Sequence, residues 1–183
     1  MEKEMNIVVD EGILYYGSFN FSNLDTLMAS LEGKELGLAK GSLNFEAKPE
    51  FRDIEFAGSK ERKIAGMRRL RKWEVKSECE VLDLNDSVLG ASLVKKDSDT
   101  SSTKFDVYIP KSDLNSEDYK DLLIVGKKHG SGKDVVIHII NTFNTEGITF
   151  SLEDNNEAST KMVFEGHYKF KNNEPPFKIY MGK

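Results

Sequence analysis

The 183-residue chain predicts a mainly β fold, a β-sandwich or partial barrel with one or two short helices and a long basic hairpin loop. Two segments carry that reading. Leu43, Phe45, Ala47, Pro49 and Phe51 alternate with Asn44, Glu46, Lys48 and Glu50, and Trp73, Val75, Ser77, Cys79 and Val81 alternate with Glu74, Lys76, Glu78 and Glu80. Period two sends successive side chains to opposite faces of a sheet, so each segment is a strand with one apolar and one wet face. About nine to eleven residues in one register span roughly 30–37 Å, longer than the usual strand of about five or six. The third observation lies between them: residues 60–72 hold seven Lys and Arg and one acid, net +6, which leaves −11 for the rest of a chain of net charge −5.

The remaining elements follow in order. Residues 13–16 are a short strand ended by Gly17, and Leu24, Leu27, Met28 and Leu31 form the stripe of a brief helical turn within residues 23–31. Gly33 and Gly37 break the chain. The strand from Gly41 changes phase between Phe51 and Ile54, which predicts a bulge near Arg52 and Asp53, and a similar slip follows Val81. Asn85 and Asp86 introduce a helix ending near Lys95, residues 95–104 are a polar loop, and residues 105–109 are a strand stopped by Pro110. Residues 122–125 and 135–140 are rich in β-branched side chains and read as a hairpin, followed by strands at 148–152 and 161–170.

Size suits one domain, residues 1–183, of the usual ~100–200 residues. The acidic balance argues against a nucleic-acid binder working by whole-protein attraction to phosphate, and a single cysteine leaves no internal disulfide or Cys-based zinc cluster. The N-terminal stretch reads as neither signal peptide nor membrane span, so synthesis and folding in a cytoplasm are expected. Residues 126–133 only imitate a phosphate loop: the spacing is one residue too long, and Asp134 stands where a Ser or Thr would hold magnesium. His129, His138 and His167 are scattered, with His138 expected as a hydrogen-bonded core or interface histidine. Cys79 is expected as a buried inert thiol, and Glu153 and Asp154 as a turn. No enzyme and no cofactor are expected. The basic run is either a solvated face or a complementary contact against the acidic body of another copy.

The segment from Gly41 to Gly58, the stretch Ile64-Ala-Gly-Met-Arg-Arg69 and the strand from Trp73 resemble the tail tube (major tail) proteins of long non-contractile-tailed bacteriophages and related prophages. The blocks at 150–157, 164–168 and 176–180 are similar to the same family's ending. The resemblance implies a structural virion protein that stacks as hexameric rings into a hollow tube, each copy giving strands to an inner β-barrel around the path of ejected DNA. It implies an N-terminal arm at 1–12, an inter-ring loop at 57–72 and a C-terminal arm at 171–183. Implied partners are the protein itself, the tape-measure, tail-tip initiation and terminator proteins, and passing DNA, with no membrane. The implied location is the virion tail, with host cytoplasm during assembly.

By that resemblance Arg62, Lys63, Ile64, Gly66, Met67, Arg68, Arg69, Leu70 and Arg71 meet a neighbouring copy, with Gly66 bending the loop. Glu74, Lys76, Glu78 and Glu80 face the bore, where the carboxylates would repel DNA. Two alternatives stand beside this: a tube subunit of a contractile tail or secretion-like machine, and a soluble β-sandwich binding module, for which Tyr15, Tyr16 and Tyr119 are the candidate aromatic platform.

Overall fold

The computed structural model describes residues 8–55, 64–128, 130–151, 158–170 and 173–183. Among these, in chain order, are β1 (Val8–Gly17), α1 (Leu24–Ala29), β2 (Ala39–Asp53), β3 (Arg68–Val81), α2 (Asp86–Ala91), β4 (Val94–Lys96), β5 (Tyr108–Pro110), a 3-10 turn (Ser116–Asp118), β6 (Lys120–Lys128), β7 (Asp134–Thr142), β8 (Phe150–Ser151), β9 (Ser159–Glu165) and β10 (Phe177–Met181). One antiparallel sheet has the order β1-β6-β7-β10, a second β2-β3-β9-β8, and β4 pairs with β5.

The two large sheets form a sandwich. Its core is made by Leu14, Leu122, Ile124 and Ile139 of the first sheet against Val75, Cys79, Val81, Met162 and Phe164 of the second. Both edge strands of the first sheet reach across: Tyr16 of β1 packs on Phe164, while Phe177 of β10 packs on Phe45 and Trp73. Strand β1 also meets β2, where Gly12 stands beside Leu43. The far face of the first sheet is covered by α1, whose Leu27 packs, with the following Leu31, on Tyr15, Leu123 and Val136. That helix begins where Asn23 accepts a hydrogen bond from the Thr26 amide. Gly37 passes so close to β3 that a Cβ there would lie 2.5 Å from Val81 Cγ1.

Several boundaries differ from the sequence reading. The bulge lies between Glu50 and Phe51 rather than at Arg52 and Asp53, with Arg71 as the extra residue on β3, and a second irregularity separates Lys40 from Asn44. No slip follows Val81; the strand ends there, and Asp83 accepts a hydrogen bond from the Leu38 amide. Helix α2, capped by Asn85, stops at Ala91 instead of near Lys95, because Leu93 turns to φ 60° and Val94 starts β4. The strand expected at 105–109 is Tyr108–Pro110, with Pro110 inside it on a two-stranded edge. Strand β8 keeps two residues of the span expected at 148–152, and β9 stops at Glu165. Of the expected arms, residues 8–12 and 177–181 are strands of the molecule's own first sheet.

Candidate assembly surfaces

Strand β3 is shared unevenly. Lys76 to Val81 pair with β9 on one side and, apart from Cys79, with β2 on the other, but Arg68 to Leu70, Lys72 and Trp73 pair with β2 alone. The distal third of the hairpin is therefore a two-stranded ribbon that leaves the sandwich. Its exposure shows this, since Arg68 to Lys72 are all exposed whereas the residues from Trp73 onward alternate in burial. The ribbon is anchored at its base by Tyr168, whose hydroxyl oxygen accepts from the Trp73 amide at 2.7 Å.

Residues 68–72, read in sequence as loop, are thus strand, and Arg62 and Lys63 lie outside the described residues. Phe51 and Leu70 face each other across one side of the ribbon, 47% and 51% exposed. Ile64 and Met67 are exposed in and beside the turn, where Gly66 adopts φ 86°. Arg68 bonds Asp53 at 2.7 Å and lies over the Phe51 ring, and Arg71 reaches Glu50 at 3.2 Å. Two of the expected intermolecular cations are therefore paired within the chain. Arg69 and Arg52 face each other on the ribbon's other side, with no ion-pair partner among the described residues.

The outer face of the second sheet carries Glu74, Lys76, Glu78 and Glu80 as expected, on one wet side. The carboxylates are not bare. Across the strands Lys48 opposes Glu74, Glu46 opposes Lys76, Glu50 opposes Lys72 and Lys40 opposes Glu80. Along β3, Lys72 meets Glu74 at 2.7 Å and Lys76 meets Glu78 at 2.6 Å. Alternation of sign from Lys72 to Glu78 on β3 and from Glu46 to Glu50 on β2, opposed charge to charge from Lys72 to Lys76, makes a nearly neutral face. Hydrogen bonds from these lysines hold the Glu74 and Glu78 carboxyls below their ordinary value.

Strand β2 is a sheet edge for all fifteen of its residues. Beyond that edge, at the β6–β7 end of the first sheet, opens a cleft of about 980 Å3 floored by Ile124, Val135 and Ile137 and walled by Leu38, Leu43 and Phe45. Among the described residues, Glu35 and Asp83 are the ionisable groups that line it. Neither cleft nor edge was marked by sequence pattern, because both arise from what the second sheet fails to cover.

The other sites resolve simply. Cys79 is buried, and desolvation pushes its thiol up to about 12. His138 is buried and stacked on Phe21, and its Nε2 lies 3.0 Å from Asp121 Oδ2 at an angle that makes no hydrogen bond, unlike the expectation. Tyr15 is buried, and Tyr16 donates its hydroxyl to the Thr142 carbonyl at 3.0 Å, so neither offers an exposed platform. Tyr119 packs edge-on to Phe143 and His167. His129 and residues 153–154 lie outside the described residues.

No protein-family model and no curated protein matches the chain. Among solved structures it is similar to the tube-terminating cap of the anti-feeding prophage, seen by cryo-EM, at 10% sequence identity and a TM-score of 0.45 over 100% of this chain and 95% of that one. At that level the likeness assigns no role to any residue.

Proposed function

We propose that this chain is a tail tube subunit, a structural, non-enzymatic virion protein that polymerises as stacked hexameric rings into the conduit for DNA ejection. The observation that carries this reading is the ribbon formed by the ends of β2 and β3, which projects from the sandwich with Phe51, Met67 and Leu70 exposed. A lone molecule gains nothing from holding such side chains in water. The open β2 edge supports the same reading, since a fifteen-residue edge finds its missing hydrogen bonds when neighbouring copies close a barrel.

The ribbon serves as the contact between rings, and its apolar side chains supply most of the stacking energy, because exposed ion pairs contribute little. The outer face of β2 and β3 lines the bore. Its alternating lysines and glutamates then replace simple repulsion with local compensation: a phosphate chain meets neither a block of cations to bind nor a wall of carboxylates to climb. Tape-measure, tip-initiation and terminator proteins meet the tube at its core and ends. Burial of Tyr15, and the hydrogen bond that holds the half-buried Tyr16 to the Thr142 carbonyl, favour this reading over a carbohydrate or cell-surface binding module.

Electron microscopy of the concentrated protein, alone and with tail-initiation components, tests this. Hollow tubes of uniform bore are the expected result, and a persistently monomeric protein in both mixtures would refute it.

A further inference from the structure

The ribbon needs an acceptor, and its shape and charge indicate which one. One side carries Phe51 with Leu70, where Arg68 is paired with Asp53, and the other carries Arg52 with Arg69. The cleft between the sheets has an apolar floor on the first sheet, and two carboxylates line it: Asp83, which accepts from the Leu38 amide, and Glu35, which is bridged to Tyr15 at the β1 edge. An apolar cleft flanked by carboxylates matches a ribbon that presents both exposed apolar side chains and arginines. The two surfaces are different parts of one molecule. A contact between them in two copies is therefore heterologous, and it propagates head to tail instead of closing a pair.

We infer that the β2–β3 ribbon of one copy seats in the cleft between the two sheets of another, Phe51 and Leu70 against Ile124 and Ile137, and Arg52 and Arg69 toward Glu35 and Asp83. This rests on the tube reading for its biological setting, but it names a contact that reading leaves open. Leu38, 68% exposed at the rim, would be covered by the incoming ribbon.

Crosslinking with a bismaleimide tests the contact. Leu38→Cys and Leu70→Cys are made in separate preparations, mixed under reduction, polymerised and crosslinked. Leu70→Cys mixed with Glu117→Cys, at the end of the sandwich away from the cleft, is the control. Cys79 is buried and does not compete. The expected result is a crosslinked dimer of the 38–70 pair about ten-fold or more above the control, as docking raises effective concentration. Tubes without this excess would overturn the cleft assignment and leave the tube reading standing. The excess without tubes would support the contact and overturn the tube reading, and absence of both would overturn both. Should either variant block assembly of the mixture, the exposed pair Ser42→Cys and Met67→Cys repeats the test with the same readings.

Discussion

At residue scale, the positions under most constraint are those where another chain segment occupies the available space. Gly37 is one: its φ of 157° and the 2.5 Å approach of Val81 Cγ1 leave no room for a methyl group. Gly37→Ala should cost about 1–3 kcal/mol, as overpacking does, read as a shift in the urea midpoint at unchanged slope. Asn85 does two things at once, accepting from the Val88 amide at 2.9 Å and donating to the Leu36 carbonyl at 3.0 Å. Asn85→Ala should therefore lose about 1–2 kcal/mol in the same measurement. The sequence marked Gly37 only as a break and Asn85 only as the approach to a helix, since neither the close approach nor the second hydrogen bond is a local pattern.

Asp118 gives the fold a dependence on acid. Lys111 and the Asn115 amide hold its carboxyl below the ordinary carboxylate value. A depressed value in the folded state means stabilisation that is fully present above the unfolded value, about 3.9, and is lost as pH falls through the lower folded one. Thermal midpoints should drop on acidification below about pH 4, and Asp118→Asn should lower the midpoint at neutral pH while flattening that drop.

At the scale of elements, strands with a steady period of two and one covered face were legible, and those without were not. The central parts of β2 and β3 alternate because one side packs on Leu14 and Ile124 while the other is wet. Residues 68–72, Arg-Arg-Leu-Arg-Lys, show no alternation because a ribbon exposed on both faces imposes none, so in sequence the charge run reads as loop. The hairpin of β6 and β7 was plain from its β-branched runs, whereas the two residues of β8 and the Pro-containing β5 carry too little sequence for any period to show. The ribbon leads to a sharp expectation. Phe51→Ser with Leu70→Ser should leave the far-ultraviolet circular dichroism and thermal midpoint nearly unchanged, since both side chains are already half in water, and should abolish sedimentable polymer. Loss of the folded signal instead would mean that the ribbon belongs to the core.

At the scale of the whole molecule, the charge asymmetry in the sequence was real but incompletely informative. Composition shows a basic run on an acidic body; only the register shows that β2 and β3 neutralise each other lysine by glutamate. Glu74→Lys, Glu78→Lys and Glu80→Lys together would turn that nearly neutral face strongly cationic. Tubes of this variant should still form but retain added double-stranded DNA in a salt-dependent way, and wild-type tubes should not. DNA passing the variant as freely as the wild type would place this face outside the bore.

The central claim is that the free edge of β2 is completed only by other copies. Amide hydrogen exchange of the same protein before and after polymerisation tests it most directly. The β2 amides that β3 does not bond should exchange quickly in the free subunit and become protected in the tube, while β6 and β7 remain slow in both. Assembled protein whose β2 amides exchange as fast as those of the free subunit would contradict the claim.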